Sequence, residues 1–575
     1  MRRLTPQMSD TFSTFVDDFH SHMTRDPNDC VLLGVDKRLD DLPDPSMEQQ
    51  DDELAEAGNL IIRAQGLDRS SLNFDDSLDL DLATLQLKAR SHRNSLTFNE
   101  RRTAQQMPTA SRDISQGIFS MFINDPRPDA ERLANITARL AQVPDYLGAL
   151  IQRLDTPVRR WVQMDIDQVA GLPELFDNLQ AWADRIGWAD ASRLEHVRSA
   201  ATNALQSYAG QLRELPTTDH FHLDEKSARS IVSLAGIEPS LEDIHHMAVE
   251  FLAESGEAIQ ELRGKLCGRY GLDDTTSADA LQHYLNRRFQ VSEPGSPLTR
   301  ILDRYNEERQ RILAFVNQHA LFPIPSGQEM KILRTPGFLE PSIPAGAMEP
   351  PVAFREGVRT SLVYLTLSEE LRNEHTELSI PNMMIHEGIP GHHLQFATAA
   401  KHPSVIRRHV SAGEHAEGWT TMLEDYMLDI GYMGNLTDEV RFSAKRAISR
   451  IGARVAIDLF FMTGNRDYLD VGVTADISPA DPFDAAGNLL AAVTGFVPGR
   501  VQAELNWYSQ ERGYPLSYLT GNRLTWQLKH DLAVAQKGRL EDMELDRLFH
   551  RLYLQSGNMP LSFLRRVFLH EGLLG

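Results

Sequence analysis

Cysteine is scarce in this chain, with only Cys30 and Cys267 among 575 residues. A disulfide framework is therefore excluded as the basis of the fold. The chain also lacks an apolar run of about 18 residues, so no membrane-spanning helix is expected. Two arginines near the N-terminus are not followed by an apolar segment, which argues against a signal peptide. Together these absences predict a cytoplasmic protein with reduced thiols and no membrane partner.

Positive charge is in deficit, because Lys+Arg 58 against Asp+Glu 81 gives a net charge of −23. Such a chain would repel phosphates, which argues against a nucleic-acid partner. No Gly/Ser-rich linker or fixed-period repeat divides the chain, so we expect one continuous unit with two lobes. Its oligomeric state is not indicated by the sequence.

Most of the chain has the apolar periodicity of helices. Residues 130–149, 241–266 and 297–319 place apolar side chains at steps of three and four, which predicts a mostly α fold. The best strand signal is Thr360–Leu367, which is rich in β-branched and aromatic residues. It is expected to be either an edge strand that pairs with an extended peptide or an ordinary structural hairpin.

A segment rich in proline, glycine and alanine, residues 341–351, is the best hinge in the chain. It predicts an N-terminal helical lobe over residues 1–345 and a C-terminal helical lobe over residues 346–575.

The segment IHEGIPGHHLQ, at residues 385–395, is nearly the zinc-hydrolase signature H-E-x-x-H. The position four after His386 is Pro390 instead of histidine. Ser379 is expected to cap a helix that runs through His386. Pro390 and Gly391 must make this helix bulge or break, because an internal proline costs roughly 3 kcal/mol.

In an unbroken helix His386 and His393 would be roughly 10 Å apart along the axis, too far for one metal ion. If Pro390 and Gly391 add about two residues, His392 takes the place of the second histidine. His392 is therefore expected to bind the metal, with His393 as the alternative or as a second-shell or substrate contact. Glu387 is expected to be the general base.

A zinc site of this class needs a third protein ligand. The helical segment that follows offers Glu414, His415, Glu417 and Glu424. Glu417 and Glu424 lie opposite an apolar stripe, and periodicity does not decide whether their face lines a cleft or meets solvent.

HEGIPGHHLQ, followed by EGW at residues 417–419, resembles the bacterial domain-of-unknown-function 885 family (DUF885), whose members carry H-E-x-x-P-G-H-H-x-Q and an E-G-W-A-x-Y-x-E-like segment. Thr420-Thr421 stands here where that pattern has Ala-x. Five further stretches resemble the family, so that the resemblance spans nearly the whole chain: residues 27–45, 221–252, 321–338, 454–458 and 514–521.

That family is similar in turn to helical metallopeptidases of the thermostable-carboxypeptidase and thimet-oligopeptidase type. The resemblance implies two helical lobes flanking a deep central cleft, a small β element beside the metal-binding helix, and one zinc ion. In those peptidases the third ligand is a glutamate about 25 residues beyond the second histidine. Since 417 − 392 = 25, the resemblance implies Glu417. The two-residue insertion before His392 is a departure from those peptidases.

The sequence thus predicts a zinc-dependent peptidase for short peptides, with His386, His392 and Glu417 as ligands. Tyr518, and less strongly Tyr508, could donate a hydrogen bond to the oxyanion. Two alternatives stay open: a non-catalytic descendant that binds metal or peptide, and a zinc hydrolase of a non-peptide amide or ester.

Other polar residues are expected to neighbour the site. Glu424 is expected to contact a metal ligand or the substrate, and Asp458 is expected to orient a neighbour instead of binding metal. Arg446, Arg450 and Arg454 lie on one predicted helix, and any of them could hold a substrate carboxylate.

Overall fold

The structure, a computed structural model, describes residues 11–293, 295–337, 343 and 346–575. Helices contain 67% of the residues and strands 5%, which confirms the mostly α fold. Residues 1–10 and four residues of the predicted hinge, at positions 341, 342, 344 and 345, fall outside the described residues. In the part of the chain that is described, no helix is both long and apolar enough to span a membrane.

The helices follow one another along the chain with short connections. Their bounds are α1 Phe12–Met23, α2 Pro27–Leu33, α3 Met47–Gly66, α4 Phe74–Ser95, α5 Thr103–Gln106, α6 Ala110–Ile123, α7 Asp129–Arg153, α8 Arg159–Val169, α9 Leu172–Ile186, α10 Ala191–Glu214, α11 Glu225–Leu234, α12 Leu241–Tyr270, α13 Ala278–Arg288, α14 Thr299–His319, α15 Ser379–Glu387, α16 His392–Ala399, α17 Val405–His409, α18 Gly413–Asp429, α19 Thr437–Ile448, α20 Arg450–Thr463, α21 Pro482–Thr494, α22 Pro498–Gln510, α23 Ser517–Ala535, α24 Asp542–Gln555 and α25 Leu561–His570. The strands are β1 Thr97–Phe98, β2 Arg101–Arg102, β3 Gln328–Arg334, β4 Gly346–Glu349 and β5 Arg359–Leu365.

The three long helices predicted from periodicity are confirmed as α7, α12 and α14. Both ends of helix α12 are fixed by capping interactions. The Ser240 hydroxyl accepts a hydrogen bond from the Asp243 backbone N–H, and the Asp243 carboxylate bonds back to the Ser240 backbone N–H. At the other end Gly271 adopts the left-handed conformation, with φ of 64°, that ends many helices.

The described chain divides into two compact units. The first contains the described residues through Asp219 together with two later segments, Ala353–Arg355 and His402–Val410. Within this unit the later segment is tied in by Arg407, whose guanidinium donates to the Asp79 carboxylate at 2.6 Å. The predicted boundary at residue 345 does not coincide with this division.

The second unit contains His220–Val352, Glu356–Lys401 and Ser411–Gly575, except for its undescribed residues. It includes a three-stranded sheet in the order β3-β5-β4, in which β5 is parallel to β3 and antiparallel to β4. The hypothesis that residues 360–367 form an edge strand is wrong, because β5 has a partner on each side. Residues 362–365 are paired on both sides, whereas residues 359–361 are paired with β3 alone.

Two glycines allow α18 and α23 of the second unit to pack backbone against backbone. A Cβ on Gly418 would overlap the carbonyl group of Gly521 and lie 2.6 Å from the Thr525 Oγ1 atom. A Cβ on Gly521 would overlap the carbonyl group of Glu414. This close crossing brings the beginning of α23 against the first turns of α18, where Glu417 lies.

Candidate metal centre

The H-E-x-x-P-G-H-H segment is a break between two helices. Helix α15 ends at Glu387 and α16 begins at His392, so the four residues 388–391 form a turn that includes a cis peptide bond before Pro390. A Cβ on Gly391 would overlap the carbonyl groups of residues 385 and 386, and only glycine fits there. The Trp419 indole N–H donates to the Pro390 carbonyl at 2.9 Å and fixes the turn. Of the two outcomes expected for this segment, a bulge or a break, the structure has a break of the helix.

The start of α15 differs from the expected cap. Ser379 is the first helical residue, and the Thr376 hydroxyl accepts hydrogen bonds from the backbone N–H groups of Leu378 and Ser379. The prediction that Ser379 caps this helix is wrong by one residue, because the cap position is Leu378, whose side chain makes no capping hydrogen bond.

Three predicted ligands lie together in the second unit. His386, His392 and Glu417 are buried, and one donor atom from each lies within 4.8 Å of the others. The Glu417 Oε2 atom is 3.6 Å from His386 Nε2 and 3.4 Å from His392 Nε2. This oxygen has no hydrogen-bond partner although it is buried. Within the described residues, this is the only group of donors that could hold one metal ion.

The other ring nitrogen of each histidine faces an oxygen. His386 Nδ1 lies 2.9 Å from Glu424 Oε1, whose second oxygen accepts a hydrogen bond from the Asn382 amide at 2.8 Å. His392 Nδ1 lies 3.5 Å from the Gln395 side-chain oxygen. An Nδ1–H donated to these oxygens leaves each Nε2 free to bind a metal ion, an arrangement common around metal-bound histidines. Gln395 thus lies where it can orient His392.

Burial and carboxylates act in opposite directions on the charges of this cluster. Burial disfavours the imidazolium form of His386, but Glu417 and Glu424 outweigh it and raise its pKa to about 10. Burial likewise disfavours the Glu417 carboxylate, but the two histidines hold its pKa well below the ordinary value. The two glutamates therefore stabilise positive charge on His386.

The polar face of α18 is buried, which answers the question that periodicity left open. Glu414, Glu417 and Glu424 are each at most 3% exposed. Glu414 accepts a hydrogen bond from the backbone N–H of Leu561 at 3.0 Å, and the neighbouring His415 donates to the Met559 carbonyl at 2.7 Å. Glu414 and His415 thus face the C-terminal segment and are not in the donor group with Glu417.

Tyr514, which sequence analysis did not select, contacts the proposed ligand set directly. Its hydroxyl donates to Glu417 Oε1 at 2.7 Å and leaves Oε2 for the two histidines. It lies in the stretch at 514–521 that resembles a family motif, but Tyr518 in the same stretch was preferred. The Tyr518 ring packs edge-on against Tyr514, with centroids 5.8 Å apart. Its neighbourhood is polar, because the Arg454 guanidinium lies 4.4 Å above the Tyr518 ring.

Tyr508 and Arg454 belong to one buried network. The Tyr508 hydroxyl donates to Glu504 at 2.6 Å and accepts from Arg454 Nε at 2.9 Å. Arg454 also pairs with Glu504 at 3.0 Å. These three side chains satisfy one another, so the hydroxyl of Tyr508 is already engaged.

Asp458 holds the loop that carries Tyr514. Its two carboxylate oxygens accept hydrogen bonds from the backbone N–H groups of Gly513 at 3.1 Å and Leu516 at 3.0 Å. It thereby fixes the residues on either side of Tyr514 and lies where it can orient that tyrosine.

His393 lies away from the donor group, although it is next to His392 in the chain. Its Nδ1 is 2.7 Å from the Ser361 hydroxyl on β5, and its Nε2 contacts the Gln328 amide oxygen on β3. Burial lowers its pKa to about 4. His393 therefore joins α16 to the sheet, and of the two neighbouring histidines His392 is the one beside His386.

Glu387 is the last residue of α15 and follows His386 directly. It is buried, with 9% of its surface exposed, and is not in the donor group. Its negative charge contributes to raising the pKa values of His386 and Tyr518. A carboxylate thus lies beside the donor group without being needed as one of its three ligands.

A family model described as "Bacterial protein of unknown function (DUF885)" matches residues 27–568. No curated protein matches the chain. Among solved structures, a "putative lipoprotein" from Colwellia psychrerythraea is 16% identical with a TM-score of 0.77, and covers 97% of this chain and 98% of its own. A "putative lipoprotein of unknown function" from Shewanella oneidensis is 17% identical with a TM-score of 0.73, and covers 98% of this chain and 100% of its own. At these identities the likeness shows a shared fold.

Proposed function

The chain belongs to the DUF885 family of bacterial proteins of unknown function, and we propose that it is a zinc-dependent peptidase acting on short peptides. The observation that carries the proposal is the convergence of His386, His392 and Glu417, with a buried Glu417 oxygen that has no hydrogen-bond partner. Glu387 beside this group supplies the general base that such a hydrolase needs.

The distances within the donor group suit a shared ion better than hydrogen bonds. Hydrogen bonds between nitrogen and oxygen span about 2.7–3.2 Å. Ligand atoms about 2.0–2.2 Å from a tetrahedral zinc ion are about 3.3–3.6 Å from each other. The separations of 3.4 and 3.6 Å between Glu417 Oε2 and the two histidines match this second range. Two imidazoles and one carboxylate are also a ligand set that suits zinc.

A zinc ion held there would polarise a substrate carbonyl and lower the pKa of a bound water to about 7. Glu387 would take a proton from the attacking water and deliver it to the leaving amine. Tyr514 already donates its hydroxyl to Glu417, whereas the hydroxyl of its neighbour Tyr518 could donate to the oxyanion. Glu424 and Gln395 keep the two histidines in the orientation that this chemistry requires.

Two experiments test the proposal. Protein purified without chelators should contain close to one equivalent of zinc by elemental analysis. Glu387→Gln should keep the zinc and lose cleavage of a short-peptide mixture by about 10²–10⁴-fold, the usual contribution of a general base. Glu374→Gln is the matched control, because Glu374 is about half exposed in its ion pair with Arg500, and its activity should be unchanged.

Absence of zinc would contradict the proposal. Zinc with no cleavage by the wild type would favour the non-catalytic alternative. Cleavage of simple amides or esters without cleavage of peptides would favour the non-peptide hydrolase. The cytoplasmic location stays a prediction, which fractionation of cells that produce the full chain would test.

A further inference from the structure

A row of cations follows the two helices that run past the donor group. Helix α19 packs against both α15 and α18, which carry His386, Glu387, Glu417 and Glu424, and α20 begins two residues after α19 ends. These two helices carry five lysine or arginine side chains, at positions 441, 445, 446, 450 and 454.

Four of the five cations are paired with carboxylates. Their partners are Asp425 and Asp429 for Arg441, Asp425 for Lys445, Asp279 for Arg446, and Glu504 for Arg454. These pairs join neighbouring elements within the second unit and have a structural explanation.

Arg450 is different. Its NH1 group donates a hydrogen bond to the Ala447 carbonyl at 2.7 Å, and it makes no ion pair with any described residue. It is partly exposed, and a guanidinium has five N–H donors of which most remain available here. A cation without a carboxylate, in a region where every neighbouring cation has one, needs another explanation.

The position of Arg450 connects it to the site. It lies one helical turn before Arg454 on the same face of α20. Arg454 lies over the ring of Tyr518, which packs against Tyr514, and Tyr514 donates to Glu417. In agreement with this placement, the charge of Arg450 contributes to lowering the pKa values of Glu424 and Tyr518.

We propose that Arg450 binds a carboxylate of the substrate, so that the site selects peptides with a free carboxylate near the bond to be cut. Arginine suits this role because its planar guanidinium can hold a carboxylate through two parallel hydrogen bonds. The carboxylate is either the C-terminal group of the peptide or an aspartate or glutamate side chain. The inference rests on the proposed function but concerns binding, so it can be tested without turnover.

The test measures binding to the zinc-loaded Glu387→Gln protein by calorimetry. Three tripeptides are compared: one with apolar side chains and a free C-terminus, its C-terminal amide, and an amide with a glutamate side chain. At least one carboxylate-bearing peptide should bind tenfold or more tightly than the apolar amide. Which of the two binds identifies the source of the carboxylate.

Adding Arg450→Gln should remove this preference, while affinity for the apolar amide stays the same. Arg450→Lys should keep part of the preference, because it retains the charge but loses the two-pronged geometry. Arg446→Gln is the matched control: it removes a cation from the preceding helix that is paired with Asp279, and the preference should persist.

Equal binding of all three peptides would overturn the inference, as would an equal loss of affinity for all three in Arg450→Gln, which would indicate a structural role. If carboxylate-bearing peptides bind more tightly but the wild type cleaves none of the peptides, the carboxylate contact is supported and the peptidase proposal fails. Cleavage of the free-acid and amide peptides at equal rates would support the peptidase proposal and overturn the carboxylate contact.

Discussion

The contact between Glu424 and His386 offers the sharpest test of the donor group. Glu424 does not face the shared centre, yet it holds His386 by Nδ1 at 2.9 Å and is itself held by Asn382 at 2.8 Å. Replacing it with glutamine removes the charge and keeps the size. Partners of metal-bound histidines typically contribute 10–100-fold to metal affinity, or about 1.4–2.7 kcal/mol.

The contacts around Glu424 indicate that Glu424→Gln should lose metal affinity by a factor near the lower end of the 10–100-fold range. A glutamine oxygen can still accept from His386 Nδ1, but its NH₂ group would face the NH₂ group of Asn382. The Asn382 side-chain oxygen is buried without a partner, so the Asn382 amide can turn and accept this new donor. The hydrogen bonds survive and only the charge is lost, for which we expect about a tenfold loss of zinc affinity.

Glu424→Ala should cost about 100-fold, because it leaves the imidazole N–H and the Asn382 amide without partners in a buried site. Zinc affinity is measured by competition with a coloured chelator, and melting curves show that each variant is folded. Glu308→Gln is the control: Glu308 is fully buried and pairs with Arg304 and Arg311, so it should lower the melting temperature and leave zinc affinity unchanged. Equal affinities for wild type and both Glu424 variants would refute the reasoning.

Two further predictions concern the scaffold. Gly418→Ala should destabilise the protein by about 1–3 kcal/mol, because its Cβ would overlap the Gly521 carbonyl. Its control, Gly256→Ala, lies at an open position of α12 and should stabilise the protein by about 0.5–1 kcal/mol. Denaturant midpoints measure both changes, and equal stability of wild type and Gly418→Ala would contradict the close packing of α18 against α23. Burial raises the pKa of Asp458 from 3.8 to about 7, so its contribution to stability is full below about pH 4 and declines as the pH rises to about 7. The stability of wild type relative to Asp458→Asn should therefore be lower at pH 8 than at pH 5 in denaturant titrations, and an unchanged difference would show that Asp458 is already charged at pH 5.

The helices and the donor group could be predicted because their signals are local or carried by a motif. Apolar periodicity located α7, α12 and α14, and the steric conflict of Pro390 with a continuous helix pointed to His392. Glu417 depended on a family spacing, since several acidic residues on α18 had equal claims from the residues alone.

The failures came from contacts between distant residues. The two partners of β5 are not evident from the sequence, because β3 begins 31 positions earlier and carries no pairing signal, as the register Gln328 with Arg359 shows. Tyr514 was passed over because its approach to Glu417 depends on the loop held by Asp458. The boundary predicted at 345 differs from the division into compact units, which falls after Asp219 and assigns residues 353–355 and 402–410 to the first unit.

The burial of α18 has a consequence for the order in which a ribosome delivers this chain. The hydrogen-bond donor to Glu417 is Tyr514, which is synthesised 97 positions later, and the donor to Glu414 is Leu561, which is synthesised 147 positions later. At synthesis rates of about 5–20 residues per second, the helix spends roughly 5–30 s outside the tunnel before these partners follow. A chain truncated ahead of Tyr514 would contain His386, His392 and Glu417 and still lack the neighbours that hold Glu417 in place. We therefore expect nascent chains of that length to be clients of chaperones and proteases, and the centre to form only after Tyr514 and Leu561 have left the ribosome.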